Sequence, residues 1–95
     1  MADHRLTDDT RIGRAHGVLS RRTLDGVLVL APDMAEVLQL SAPGDAIWEL
    51  LAEPLSVAEM VVALAEHFGV PADVIRAQIQ PTLAALLDGG ALTVT

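Results

Sequence analysis

The punctuation between Ser41 and Gly90 constrains the fold of this chain more than any other feature. Ser56, followed three residues later by Glu59, forms a capping box: the hydroxyl and the carboxylate each satisfy a backbone N–H at a helix start. Met60, Val61, Leu64 and Phe68 then recur at spacings of three and four until Gly69 ends the helix. Pro71, with Asp73 in the first turn, opens a longer helix that runs to Asp88 and closes on Gly89-Gly90. Upstream, Ser41 as N-cap and Pro43 in the first turn start a shorter helix over residues 43–52. Its apolar stripe is Ile47, Trp48, Leu50 and Leu51, and Pro54 lies just beyond its end. The second half of the chain therefore reads as three helices.

The first half reads as strands. Val18 to Arg22 and Val27 to Leu30 are β-prone runs with Asp25-Gly26 as the turn signal between them. Pro32-Asp33 makes a second turn, and Ala35 to Leu40 reads as a third strand. Residues 1–16 lack any period and are expected to be a flexible N-terminal arm, leaving 17–95 as one domain. Ala91 to Val94 is a last apolar tail that adds a short strand or packs over the core. The expected fold class is α+β, a three-stranded antiparallel sheet followed by three helices.

Composition limits what such a domain does. Only Trp48 and Phe68 are aromatic, so the core is expected to be built from Leu, Val, Ile and Ala. The chain has no cysteine, which excludes disulfides, thiolate metal sites and Cys nucleophiles. No apolar run approaches the ~20 residues that cross a bilayer, and the N-terminus lacks a secretory signal, so no membrane partner and a cytoplasmic location are expected. Net charge is −7, unevenly spread: residues 1–23 carry five arginines against three aspartates, whereas from Leu24 onward ten acids face one base, Arg76. A body that acidic repels phosphates, so no nucleic-acid partner is expected.

Catalytic constellations are missing. His4 and His16 lie in or at the end of the arm, and His67 has no partner one helical turn away to complete a metal pair. No His or Lys is placed to activate Ser20, Ser41 or Ser56, and "DGGAL" is a helix end and not a phosphate loop. Neither an enzyme activity nor a cofactor or metal is expected.

What remains is surface shape. On the third helix Ile75, Ile79, Thr82, Leu83 and Leu86 form the core stripe, and Val74, Gln78, Pro81 and Ala85 form a second row beside it. That row is either the wall of a groove or a wide core face. Pro81 removes one helical hydrogen bond and is expected to kink or split the helix near Gln78–Gln80. The third strand, if it is an edge, has weak protection in Glu36 and Gln39 and is open to a further strand. Strand pairing is expected at Ala35, Glu36, Val37 and Leu38, with the groove wall at Val74, Gln78, Pro81 and Thr82. Arg76 is a weaker candidate for an acidic residue of the guest.

The stretch "LQLSAPGDAIWELL" resembles the strand-to-helix junction of PqqD-like proteins, the recognition elements that bind precursor peptides of ribosomally made, modified natural products. Leu40, Ser41, Gly44, Ile47, Trp48 and Leu51 match that pattern position by position. "LSVAEMVVALAEHFGV" and "VIRAQIQPTLAALLDGGAL" are also similar to the family, so the resemblance runs from about Gly17 to Thr95. A free-standing domain of this size is most similar to the discrete leader-binding proteins of lasso peptide pathways. Ser41 in place of the Asn common in the quinone-cofactor branch, and Ala52-Glu53-Pro54 in place of a Gly-containing turn, favour the lasso branch. The resemblance implies a winged helix-turn-helix-like fold, leader capture by strand addition to the third strand and against the third helix, and no cofactor. It implies as partners the precursor leader peptide and a leader peptidase, with a cyclase in the same pathway. The competing readings are a winged-helix transcription regulator, compatible with the element order, and a small structural subunit that oligomerises through its apolar edge.

Overall fold

A computed structural model describes residues 6–95. Two small antiparallel sheets and three helices share one core. In chain order the elements are β1 (Arg11–Arg14), β2 (Leu19–Thr23), β3 (Gly26–Leu30), β4 (Leu38–Leu40), α1 (Gly44–Leu50), β5 (Leu55–Ser56), α2 (Val57–Phe68), α3 (Ala72–Asp88) and β6 (Leu92–Val94). The expected α+β class, with three antiparallel strands followed by three helices, is what the chain adopts. The strands run β2-β3-β4 in one sheet and β5-β1-β6 in the other.

The second sheet corrects the expectation of a flexible arm over 1–16. Residues 1–5 of that arm, and His4 with them, lie outside the described residues. Arg11 to Arg14, however, pair with β5 on one side and β6 on the other, and Ile12 is fully buried. Nearby, Val57 donates to the carbonyl of Thr10 at 2.9 Å and Ala58 to that of Asp8 at 3.1 Å, so this segment takes up the free N–H groups at the start of α2. The apolar tail does add a strand: β6 pairs Leu92, Thr93 and Val94 with Arg14, Gly13 and Ile12.

Helix boundaries follow the chemistry of the ends. Ser56 caps α2 through the full capping box, with the Glu59 N–H donating to Oγ at 3.1 Å and the Ser56 N–H donating to Glu59 Oε1 at 2.9 Å. Gly69 closes it in the left-handed region at φ 67°. α1 differs from expectation: it covers only residues 44–50, and no side chain caps it. Ser41 serves through its carbonyl, which accepts from the N–H groups of Gly44 and Asp45, while its hydroxyl plays no capping role. α3 runs unbroken for 17 residues through Pro81, so the expected split does not occur.

Burial sorts the apolar residues as the helical periods require. Ile47, Trp48 and Leu51 of the α1 segment, Val57, Met60, Val61 and Leu64 of α2, and Ile75, Ile79, Leu83 and Leu86 of α3 meet Val27 and Val29 of β3 in one core. Phe68 departs from its expected place in that stripe, since it is 39% exposed at the end of α2.

Candidate peptide-binding site

β4 is an edge strand, as expected, but it is shorter than the sequence suggested. Leu38, Gln39 and Leu40 pair with Val29, Leu28 and Val27. Ala35, Glu36 and Val37 are exposed and lie before the strand. The cause is a tight turn over residues 31–34, in which the Met34 N–H donates to the Ala31 carbonyl at 3.0 Å and the Ala31 N–H reaches the Met34 sulfur at 3.3 Å. Pairing begins only after the chain has recovered from that turn.

Hydrogen-bonding direction follows from the register. The two-residue loop Leu24-Asp25 makes Thr23 and Gly26 a hydrogen-bonded pair, so by alternation Val27 and Val29 bond toward β4. Leu38 and Leu40 therefore bond inward, and the N–H and C=O of Gln39 point away from the sheet. A Cβ added to Gly26 would collide with the Leu40 carbonyl oxygen, as an inward-facing carbonyl requires. Of the four strand-pairing residues expected, Leu38 is thus committed to β3. The outward group is on Gln39, which sequence reasoning had treated only as weak edge protection.

Side chains link the segment that carries β4 to α3 and its C-terminal end. At one end the methyl group of Met34 sits against Gly89. Further along, Leu40 and Thr82 both pack on Gly44, where an added Cβ would meet Thr82 Cγ2 at 3.4 Å and Leu40 Cβ at 3.5 Å. At the other end Gln78 lines an open cleft of about 530 Å³ with Ala42, Pro43, Phe68 and Val70. The second row of α3 is not core, because Val74, Gln78, Pro81 and Ala85 are all exposed. Thr82 is half-buried at the base. Ala42, Pro43, Phe68 and Val70 were not foreseen; the one available signal was Phe68, a last-turn residue directly before a helix-ending glycine.

The electrostatics of this face are quiet. Arg76, the single base of α3, donates through Nη2 to Asp8 Oδ1 at 2.9 Å, which holds it on the N-terminal segment and not in the groove. α3 therefore presents no free cation, which weighs against DNA docking through this helix. Among the described residues no three His, Asp or Glu side chains come together to hold a metal ion, and no helix is long and apolar enough to cross a membrane. His67 is exposed and meets the Phe68 ring edge-on at 4.8 Å.

Comparison with solved structures gives two strong matches. One is the solution structure of the PqqD truncation of Methylobacterium extorquens PqqCD, described as a stand-alone recognition element for ribosomally synthesised and post-translationally modified peptides. It is 21% identical, with a TM-score of 0.77, over 94% of this chain and 95% of that one. The other is TbiB1 in complex with the TbiA(beta) leader peptide, 26% identical, with a TM-score of 0.74, over 84% of this chain and 93% of that one. No curated protein sequence matches significantly. The profile of the family described as coenzyme PQQ synthesis protein D matches residues 26–92, from the first residue of β3 to the first of β6. The chain therefore belongs to the PqqD family.

Proposed function

We propose that this protein is a non-catalytic recognition element that captures the leader peptide of a ribosomally made precursor and delivers it to a maturation enzyme. The leader adds as a strand beside β4, bonds to the outward N–H and C=O of Gln39, and lays alternate side chains against the α3 wall. One observation carries this reading: β4 is a free sheet edge whose last residue, Leu40, packs with Thr82 of α3 on Gly44, beside an apolar cleft that Gln78 lines. The leader-bound structure of TbiB1, which shares the fold, supports it. Val74, Gln78, Pro81 and Thr82 form the wall, and Ala35, Glu36 and Val37 flank the pairing strand. Ser41 and the Ala52-Glu53-Pro54 turn support a lasso peptide pathway, with a leader peptidase as the receiving enzyme.

Two proline variants test strand addition against a leader peptide encoded beside this chain. Gln39→Pro removes only an outward N–H and is expected to fold, because edge strands tolerate proline there. Binding should fall by about tenfold or more, the cost of roughly one good hydrogen bond and a disturbed edge. Leu38→Pro removes an inward bond to Val29 and is expected to detach β4. A folded Gln39→Pro variant with unchanged affinity would exclude strand addition at β4.

A further inference from the structure

Gly89 and Gly90 follow α3, and backbone conformation explains only the second. Gly90 sits at φ 80°, where side chains are strained, whereas Gly89 keeps angles open to any residue, φ −78° and ψ −6°. What Gly89 lacks is room. An added Cβ would stand 2.8 Å from the methyl carbon of Met34 and 3.3 Å from the Ala85 carbonyl oxygen. The bare Cα of Gly89 is thus the seat of the Met34 methyl group.

Met34 is also tied to its own turn. Its sulfur accepts the N–H of Ala31 at 3.3 Å, and its N–H donates to the Ala31 carbonyl at 3.0 Å. Ala31 is buried, so its N–H would be left without this acceptor inside the protein if the sulfur moved away. One thioether therefore joins the turn that feeds Ala35, Glu36, Val37 and β4 to the C-terminal end of α3. Met34 is half-buried at the margin of the core and within reach of small solutes, while Met60 of α2 is fully buried.

We propose that Met34 is a positioning residue for peptide capture, and that oxidation of its thioether by a peroxide switches capture off. Its contacts hold the entry to β4 against the end of α3, the two elements proposed to receive the guest. Hydrogen peroxide gives one oxygen atom to the sulfur: the S–O bond forms as the O–O bond breaks, the sulfur is oxidised, and the reduced peroxide leaves as water. An N–H···O bond alone takes about 2.9 Å, so the new oxygen does not fit within the 3.3 Å between the sulfur and the Ala31 nitrogen. A sulfoxide that keeps this bond must withdraw its sulfur, and the methyl group leaves Gly89 with it. This rests on the proposed capture at β4, which titration of the untreated protein decides separately.

The test titrates the leader peptide encoded beside this chain against the whole protein before and after hydrogen peroxide treatment, with Met34 conversion followed by mass spectrometry. Conversion should weaken leader binding about tenfold, and methionine sulfoxide reductase should restore it. Met34→Leu keeps the bulk without an oxidisable sulfur; it should bind within about threefold of wild type and ignore peroxide. Gly89→Ala displaces only the end of a flexible side chain, so it should fold, yet bind the leader about fivefold more weakly. In a Met34→Ala background the same substitution should change nothing, because the methyl group it displaces is gone. Unchanged affinity after Met34 conversion, or equal peroxide sensitivity in Met34→Leu, would overturn the switch. A Gly89→Ala penalty that persists beside Met34→Ala would overturn the positioning role. Failure of the untreated wild-type protein to bind the leader would instead overturn the capture reading itself. If Gly89→Ala folds poorly, the peroxide treatment still decides, since it uses the wild-type chain.

Discussion

The guanidinium of Arg14 lies over the indole ring of Trp48, 4.6 Å from its centroid, and donates to the carbonyl oxygen of the same residue at 2.6 and 3.2 Å. One side chain thus ties β1 to α1 through both the face and the backbone of a residue that is only 1% exposed. Arg14→Ala is expected to cost about 2–3 kcal/mol, from the cation–π contact and a charged hydrogen bond in a partly buried site. Arg14→Lys keeps the charge but loses the fork that grips the carbonyl, and is expected to cost about half as much. Urea midpoints followed by Trp48 fluorescence check both, and a loss below ~0.5 kcal/mol for Arg14→Ala would mean that strand pairing and Ile12 hold β1 without the Arg14 contact.

This contact also shows where sequence reasoning stops. Trp48 was legible as a core anchor because Ile47, Leu50 and Leu51 surround it at helical spacing, and the capping box and Gly69 fixed α2 from end to end. β1 was not legible. Its sequence, Arg-Ile-Gly-Arg, has a single apolar residue between arginines, and its partners Leu92 to Val94 lie some eighty residues away. Long-range pairing leaves no local period to read. The edge at β4 was foreseen from its composition, but Gln39 was not, because hydrogen-bonding parity is set by the hairpin register and not by side chains. The exposed flank of α3 at Val74, Gln78 and Pro81 was legible, since a period of 3.6 fixes which row lies beside the core. Arg76 did not reach the groove, because its partner Asp8 belongs to a segment that carried no period.

Gly26 sets the position of the binding edge. Its φ of 148° lies where side chains are strained, and a Cβ there would run into the Leu40 carbonyl. Gly26→Ala is expected to cost about 3 kcal/mol and to push β4 off β3. Amide exchange should show protection lost first at Leu38 and Leu40, with leader binding lost in parallel. Full protection at those amides would mean that the hairpin adjusts and Gly26 is not the limiting contact.

Acid should weaken the start of α2. The Ser56 backbone N–H, then the Ser56 hydroxyl and more weakly Arg11, hold the Glu59 carboxyl below its ordinary value of 4.5. A carboxyl lowered by folding contributes stability that is present above the unfolded value and is lost as pH falls through the folded one. The loss should therefore begin below about pH 4.5. Glu59→Gln should remove this part of the acid dependence, read from thermal midpoints across pH 2–7, and an unchanged acid limb in the variant would assign the effect to other carboxylates. At neutral pH, Ser56→Ala should cost about 1 kcal/mol as a lost helix cap.

Pro81 separates stability from binding. It stands exposed within a continuous helix, where it leaves the Ala77 carbonyl without its usual N–H donor. Pro81→Ala restores that donor and is expected to raise stability by about 1–3 kcal/mol, because nothing in the core depends on the ring. The exposed ring of Pro81 lies next to Thr82 on the flank of α3 proposed to face the guest. The same substitution is therefore expected to weaken leader binding by threefold to tenfold through lost ring contact and a changed helix path. Calorimetric unfolding and a leader titration on one preparation read both effects. A more stable variant with unchanged affinity would remove Pro81 from the binding wall and leave Gln78, Thr82 and the cleft at Phe68 as its working part.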